Sequence, residues 1–249
     1  MDKAIFSIFK NEASYLKEWV VFHKLQGFEK FYLYNNESSD NWQEELEPFI
    51  KNELVEVIDW PGQAQQFPAY WHYINKMKDS PEKPRWTAFI DIDEFIYSRQ
   101  GEKVSDILDR NTQYDCVTAT WIMFGMNNHK TKPNGLVIDN FTLRADFSVK
   151  SDHVKSILDV STILDFYDPH QFTITGTTAN LDELKINHYW TKSQEEWEAK
   201  WLRGRSDTGG KHDLQESLED IKKMSHVEDL TIKNIWSEQI NNFIKEINE

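Results

Sequence analysis

The sequence is short of cysteine, of basic residues and of long apolar runs. Its one cysteine, Cys116, cannot form an internal disulfide, so a reducing compartment is expected. The 28 basic residues against 42 acidic ones give a net charge of -14, which excludes a strongly basic nucleic-acid binder and disfavours adsorption on anionic lipid. No stretch approaches the ~20 apolar residues of a membrane span, and the first residues lack a secretory signal pattern. We expect a cytoplasmic protein, at most peripherally associated with the inner face of the membrane.

Only 9 glycines and 7 prolines accompany 14% aromatic residues, which is typical of a packed globular chain. In the first ninety residues, apolar runs alternate with amphipathic stretches, and this alternation predicts a parallel sheet covered by helices. The predicted strands are Lys3–Phe9, Phe31–Tyr34, Leu54–Ile58 and Trp86–Ile90. The predicted helices are one from an Asn11 cap to Gly27, then Trp42–Ile50 and Gln63–Met77.

The pattern changes after Asp91, where strands follow one another with little helix between them, so the sheet is expected to be mixed. These strands are Cys116–Phe124, Leu136–Phe147 and Ile157–Phe166. From Ser193 onward the chain is expected to be helical, with a mobile glycine-rich loop at residues 204–210. The helices are Glu195–Arg203, Leu214–Met224 and Ile232–Ile247. The fold class is therefore α/β, a mixed sheet flanked by helices with a helical C-terminal extension.

Two carboxylates, Asp91 and Asp93, come directly after the apolar strand Trp86–Ile90. In open α/β sheets, ligands bind at the carboxyl ends of the strands. Residues two apart in an extended segment project to the same side, so the pair could share one divalent cation or divide between a ribose and a cation. Two alternatives remain: solvated residues capping the next helix, or a haloacid-dehalogenase-like phosphatase with Asp91 as nucleophile. That phosphatase class usually carries its pair on the first strand.

Over roughly residues 4 to 205, the sequence resembles the bacterial glycosyltransferases of GT-A fold related to families 2 and 92. The order and spacing of several short motifs carry the resemblance. They are Lys10-Asn11-Glu12, Glu18-Trp19 with His23, Gly27-Phe28, Tyr34-Asn35-Asn36, Phe89 to Phe95, Phe124-Gly125, Asn187-His188-Tyr189, Thr191-Lys192-Ser193, Lys200 and Arg203-Gly204. The resemblance implies a GT-A domain at residues 1–205, whose mixed sheet is of the GT-A, Rossmann-like type, with the loop and helices of residues 206–249 packed on it.

The resemblance also implies a nucleotide-sugar transferase in which the Asp-x-Asp pair holds Mn²⁺ or Mg²⁺ against the donor diphosphate. By position, Asp91 would reach the ribose or the cation, and Asp93 would bind the cation. His188, 97 residues after Asp91, is the favoured third ligand because such enzymes often complete the site with a histidine from a later strand. His153 and His170 are its rivals.

The nucleotide is expected at the ends of the first two strands, with Asp40 or Glu12 accepting the imide N–H of the base. The expected donor-binding residues there are Asn11, Glu12, Asn36, Asp40 and Gln66. A basic group formed by Lys192, Lys200 and Arg203 is expected to close over the diphosphate as a lid. The alternatives are a helix cap with a polar turn, and pairing of the basic residues with glutamates on an exposed helix.

An inverting transfer needs a carboxylate that takes the acceptor proton, and Asp139 and Asp152 are the candidates. Trp121, Phe124 and Trp190 could form a sugar platform, although large aromatics more often belong to the core. The sequence thus predicts a metal-dependent transferase that moves a sugar from a nucleoside-diphosphate donor, expected to be UDP-linked, to a glycan or lipid-linked acceptor of the cell surface. A catalytically inactive binding module is the remaining alternative.

Overall fold

The computed structural model of this protein describes residues 1–146, 153–203, 221 and 224–248. Its centre is an eight-stranded sheet with the order β3-β2-β1-β4-β8-β6-β11-β5. These strands are β1 (Lys3–Phe9), β2 (Lys30–Asn35), β3 (Val55–Asp59), β4 (Trp86–Phe89), β5 (Glu94–Ser98), β6 (Cys116–Met123), β8 (Val154–Leu158) and β11 (Thr178–His188). Two-stranded sheets pair β9 (Ile163–Phe166) with β10 (Phe172–Ile174), and β7 (Leu143–Arg144) with β12 (Val227–Glu228).

The first half of the sheet is parallel, as the sequence predicts, because helices connect its strands. β1 pairs with β2 and β4, and β2 pairs with β3, all in parallel register. The helices are α1 (Ala13–Leu25), α2 (Trp42–Lys51), α3 (Gln66–Met77), α4 (Val104–Arg110), α5 (Val137–Asn140), α6 (Gln194–Arg203) and the C-terminal helix Thr231–Asn248. Ile5 joins the core on one face of the sheet and Phe6 the core on the other, so β1 is apolar at both alternating sets of positions.

The second half is mixed, which confirms the predicted change of pattern. β8 runs antiparallel to both β4 and β6, and β5 runs antiparallel to β11. β11 is parallel to β6, so the carboxyl ends of β4, β6 and β11 and the start of β5 meet on one edge. A mixed sheet with helices on both faces is the α/β architecture that the sequence predicts.

The predicted strand Leu136–Phe147 is wrong for most of its length. Residues Val137–Asn140 form the short helix α5, and only Leu143–Arg144 are extended. The carboxylate of Glu18 accepts the backbone N–H groups of Val137 and Ile138 at 2.7 and 3.2 Å. A buried acid in α1 thus caps a turn that is remote in sequence, and this tertiary contact overrides the local strand pattern.

Three further differences from the sequence prediction have an identifiable local cause. Helix α3 begins at Gln66, three residues later than expected, since Ala64 has a left-handed backbone (φ 52°). The predicted strand Ile157–Phe166 is interrupted at Asp159, whose side chain accepts the N–H of Ser161 and caps a 3-10 turn. Asn11 is not the cap of α1. Asp40 accepts the N–H of Ala13 at 2.8 Å, so this cap comes from a different loop.

The C-terminal helix Thr231–Asn248 packs on the main core through Ile232, Trp236 and Ile240. The predicted loop at residues 204–210 and the predicted helix Leu214–Met224 lie outside the described residues, except for Ile221 and Met224. Within the described part of the chain, no helix has the length and apolar character needed to cross a membrane.

Candidate active site

A cavity of about 320 Å³ lies where β1 ends and where the chain turns from β4 into β5. It is lined by Lys10, Asn11, Glu12, Tyr15, Asp93, Trp190, Thr191, Lys192, Glu196, Ala199 and Lys200. This cavity therefore lies between the loop after β1, Asp93 and helix α6. A larger hollow of about 550 Å³ lies at the other ends of β5 and β11, beside Arg99 and Asp182, away from these residues.

The segment that carries the two aspartates is a turn, and the predicted extended geometry is wrong. The N–H of Glu94 donates to the carbonyl of Asp91 at 3.1 Å, which closes the turn before β5 begins. Asp91 is paired with Lys155 of β8, and Asp93 is paired with Lys200 of α6. The two carboxylates therefore have separate cationic partners.

Asp91, whose side chain is 34% exposed, is paired with a buried lysine at the sheet edge. The ammonium of Lys155, a fully buried residue, lies 2.9 Å from Asp91 Oδ2 and 3.5 Å from Glu94 Oε2. Gln66 donates to Asp91 Oδ1 at 3.4 Å, and Glu94 Oε2 accepts the N–H of Asp91 at 3.0 Å. A buried lysine is stable only when charged partners surround it, so this group fixes the turn.

Lys155 and Glu94 differ in what dominates the pKa of each. Burial lowers the pKa of Lys155, but the charges of Asp91 and Glu94 outweigh burial and raise it, so Lys155 stays protonated. Burial raises the pKa of Glu94 well above its usual value, and Lys155 offsets only part of this. The protonated Lys155 and the nearer carboxylate of Asp91 therefore form the main pair, and the raised pKa of Glu94 means that it binds a proton more readily than an ordinary glutamate.

Asp93 lies on the cavity side of the turn. Its Oδ2 accepts from the ammonium of Lys200 at 2.6 Å, and its Oδ1 lies 3.5 Å from Nε2 of His188. Burial alone raises the pKa of Asp93, but Lys200 and His188 outweigh it and hold the pKa well below its usual value. Burial lowers the pKa of His188, so the ring is neutral near pH 7 and one of its nitrogens can bind a metal.

The three predicted metal ligands do not converge. Asp93 Oδ1 and His188 Nε2 lie together, whereas Asp91 is held by Lys155. No cluster of three or more His, Cys, Asp or Glu side chains suited to a metal occurs among the described residues. A carboxylate and an imidazole fit Mn²⁺ or Mg²⁺ as a partial set, because such ions often take one or two protein ligands and complete their shell with substrate phosphates.

The loops after β1 and β2 meet, as expected, but several of their polar side chains hold each other. Asn11 Oδ1 accepts the N–H of Ser39 at 2.8 Å. Asn36 donates to the carbonyls of Trp60 and Gly62 at 2.8 and 2.9 Å. Of the predicted nucleotide contacts, Asn11 and Glu12 line the cavity, whereas Asn36 and Asp40 brace the loops around it.

Two lysines close the cavity on its opposite side. Lys192 binds the carboxylate of Glu12 at 2.9 Å and lies 3.4 Å from the ring centre of Tyr15. Lys200 projects from α6 onto Asp93 and also donates to the carbonyl of Trp190 at 3.2 Å. Neither lysine forms the surface pair with helix glutamates that the alternative interpretation required. Arg203 is the last residue of α6, and the residues after it lie outside the described part.

A family model described as glycosyltransferase family 92 matches residues 5–225, well over half of the chain. The chain belongs to glycosyltransferase family 92. This membership confirms the family resemblance and speaks against the phosphatase alternative.

Relatives of this family 92 chain are found in plants. Glycosyltransferase family 92 protein At1g27200 of Arabidopsis thaliana is 26% identical over 211 residues, 78% of this chain and 36% of the relative. Galactan beta-1,4-galactosyltransferase GALS1 of the same plant is 29% identical over 112 residues, 41% of this chain and 23% of the relative. The chain thus spans less than half the length of these relatives. The structure of S. aureus TarS 1-349 in complex with UDP-GlcNAc is similar over 65% of this chain and 46% of that one, with a TM-score of 0.42 and 12% identity.

His153 and His170, the other candidates for the third metal ligand of this family 92 chain, pack around Trp121 and do not line the cavity. The rings of His153, His170 and His188 lie 5.1, 4.8 and 4.1 Å from the Trp121 ring. Burial lowers the pKa of His170 to about 4, so it is neutral near pH 7. Three imidazoles thus pack against Trp121, which stays partly exposed and does not line the cavity, whereas Trp190 does line it. Phe124 is buried in the main core.

Asp139, the first candidate for the base, faces the C-terminal helix. Its Oδ2 accepts from the hydroxyl of Ser237 at 3.0 Å, and it does not line the cavity. The second candidate, Asp152, lies outside the described residues.

Sequence reasoning missed Lys155 and Glu196. The signal for Lys155 was a lysine inside the short, mostly apolar stretch Val154–Leu158, an unusual position unless a buried acid pairs with it. The signal for Glu196 was weaker, because it follows Ser193 at capping-box spacing and resembles an ordinary helix start.

Proposed function

We propose that this chain is a metal-dependent glycosyltransferase that moves a sugar from a UDP-linked donor to a glycan or lipid-linked acceptor, with inversion at the anomeric carbon. Family membership supports sugar transfer. The observation that carries the proposal is the cavity itself, in which Asp93 of the Asp-x-Asp pair lies among lysines at the end of the parallel strands. We place the reaction in cell-surface polysaccharide synthesis.

The local charge of the cavity suits a diphosphate better than the charge of the whole chain does. Lys10, Lys192 and Lys200 line it together with Glu12, Asp93 and Glu196, whereas the protein as a whole carries -14. Repulsion by the acidic surface is therefore offset at this position. A leaving nucleoside diphosphate gains negative charge as the glycosidic bond breaks, and fixed cations stabilise that charge most in the transition state.

Asp93 and His188 are the residues that would hold Mn²⁺ or Mg²⁺, and Asp91 would orient the turn that carries Asp93 or contact the ribose. A bound divalent cation neutralises the diphosphate and acts as a Lewis acid for its departure. Lys200 occupies Asp93 Oδ2, so donor binding requires this lysine to shift toward the phosphates or to bind them from its present position.

The donor base is proposed to lie beside Asn11 and Glu12, on the wall that Asn36 and Asp40 brace. Gln66 would act through Asp91, to which it donates a hydrogen bond. Lys192, Lys200 and Arg203 would close over the diphosphate from the α6 side and exclude water from the reacting sugar.

Thermal denaturation with a panel of UDP-sugars, each with and without Mn²⁺, tests the proposal. UDP-galactose belongs in the panel because the name of one relative records a galactosyltransferase. A donor at 100 times its dissociation constant should stabilise the fold by about 2.7 kcal/mol, and Asp93→Ala should abolish the Mn²⁺-dependent part.

Asp182→Ala is the matched control, since it removes a fully exposed carboxylate at a distance from the cavity. It should keep the full stabilisation. A panel in which no nucleotide sugar stabilises the wild-type chain, or an Asp93→Ala variant with an unchanged Mn²⁺ response, would contradict the proposal.

A further inference from the structure

Among the described residues, three carboxylates line the cavity, and they differ in their partners. Glu12 is paired with Lys192 at 2.9 Å, and Asp93 with Lys200 at 2.6 Å. Glu196 accepts from Ser193 instead, whose N–H and hydroxyl donate to its Oε2 at 3.2 and 2.7 Å. Within the described part of the chain, no lysine, arginine or histidine pairs with Glu196, and its Oε1 accepts no hydrogen bond.

We propose that Glu196 is the general base of the transfer and takes the proton of the acceptor hydroxyl, an inference that rests on the proposed function. The hydroxyl oxygen forms the new bond to the anomeric carbon. The bond from that carbon to the diphosphate oxygen breaks, and the nucleoside diphosphate keeps the electron pair. The proton ends on Glu196 Oε1, so the step needs no further reactant.

The environment of Glu196 suits a base better than that of the other two carboxylates. Burial raises the pKa of Glu196 to about 7; the Ser193 N–H lowers it and the charge of Glu12 raises it. A base is most effective when its pKa lies near the working pH. The pKa of Asp93 is held well below its usual value, so Asp93 binds a proton poorly. The charged groups that share the cavity with Glu196 are Lys10, Glu12, Asp93, Lys192 and Lys200.

Glu196 also has a structural role, which the test must separate from catalysis. Its N–H donates to the hydroxyl of Ser193 at 3.4 Å while its carboxylate accepts from the Ser193 N–H, which forms a capping box at the start of α6. Glutamine serves equally well at this position of a capping box. Glu196→Gln therefore keeps the helix start and removes only the ability to take a proton.

The experiment compares wild type, Glu196→Gln and Glu195→Gln, with the donor found in the nucleotide-sugar panel and either a glycan acceptor or sodium azide. Glu195 is the matched control because it lies on the same helical turn but is exposed. We expect Glu196→Gln to lower kcat with the glycan by about 100-fold or more, with KM for the donor changed less than threefold. The ionisation near pH 7 should disappear from its kcat profile.

Azide is a nucleophile without a proton to lose, so it should restore turnover of Glu196→Gln to the wild-type rate measured with azide. A Glu196→Gln variant that keeps more than a third of kcat, retains the ionisation near pH 7 or gains nothing from azide would overturn the assignment. If wild type binds no nucleotide sugar, the proposed function fails first and the assignment fails with it. If wild type transfers sugar and Glu196→Gln does so equally, only the assignment fails.

Discussion

Asp91 and Asp93 are two residues apart, yet their ionic partners come from different parts of the molecule. Asp91 is paired with Lys155, which is fully buried in the central strand β8. Asp93 is paired with Lys200, whose side chain is 28% exposed on α6, next to the undescribed residues after 203. In the first pair only the lysine is buried, since Asp91 is 34% exposed, whereas both members of the second pair line the cavity.

The difference indicates that the two aspartates of the motif have different roles. A buried lysine cannot leave its acids without a large desolvation penalty, so the Asp91 pair is a permanent part of the fold. A partly exposed lysine can exchange its carboxylate for water or for a phosphate at little cost. We therefore propose a structural role for Asp91 and a ligand-binding role for Asp93.

The largest effect is expected from Lys155→Met, which leaves the carboxylates of Asp91 and Glu94 without their buried cation. We expect a loss of about 3–5 kcal/mol in the free energy of unfolding, measured by urea denaturation. Lys185→Met is the matched control, because its partner Asp182 is fully exposed, and it should cost less than about 1 kcal/mol. Equal losses for both variants would remove the distinction between the two pairs.

The next largest effect is a difference in ligand binding between variants of the two aspartates. Asp93→Asn should weaken Mn²⁺-dependent binding of UDP by about 100-fold, since it removes the carboxylate that lines the cavity. Asp91→Asn should lower stability more and Mn²⁺-dependent binding less. Calorimetric titration of both variants with UDP and Mn²⁺ measures this, and a larger loss of binding in Asp91→Asn would reverse the assignment.

A smaller effect is expected from Lys200→Met. Removal of a partly exposed cation should change the free energy of unfolding by less than about 1 kcal/mol but weaken UDP binding by about tenfold. The same denaturation and titration experiments measure both quantities. A stability loss as large as that of Lys155→Met would show that the Lys200 pair is equally permanent.

The smallest effect is a pH dependence of opposite sign for neighbouring acids. The lowered pKa of Asp93 gives a contribution to stability that is present above its unfolded pKa and lost as the pH falls through the lower folded value. The raised pKa of Glu94 gives a contribution to stability that is fully present below pH 4.5, and this contribution is lost as the pH rises through the raised pKa. Glu94→Gln should therefore flatten the decline of stability above pH 4.5. If stability above pH 4.5 declined as steeply in Glu94→Gln as in wild type, the raised pKa of Glu94 would be contradicted.

Much of the fold could be predicted from local pattern. β1 begins and ends at the predicted residues, and the position of the Asp-x-Asp pair after β4 follows from the apolar run before it. The strand predicted over Leu136–Phe147 failed because Glu18, more than a hundred residues earlier, caps a helical turn there. Local propensity carries no information about such a partner.

The same limit applies to the candidate site. The sequence identified Asp93, His188, Lys192 and Lys200 through motif spacing, and the structure brings these side chains to one edge. It could not show that Asp91 pairs with Lys155 and does not line the cavity, because Lys155 lies in β8, 64 residues later. It could not distinguish Glu196 from neighbouring acids, because its pKa depends on burial and on the charge of Glu12, which is far away in the sequence.

By itself, the sequence determined the parallel strands, the apolar core and the position of two carboxylates at a strand end, because periodicity and strand length are local properties. The tertiary structure decided which lysine neutralises which carboxylate and which of the cavity acids forms no ion pair with the described residues. Those outcomes depend on distances between residues far apart in the chain and on a burial that only the folded sheet creates.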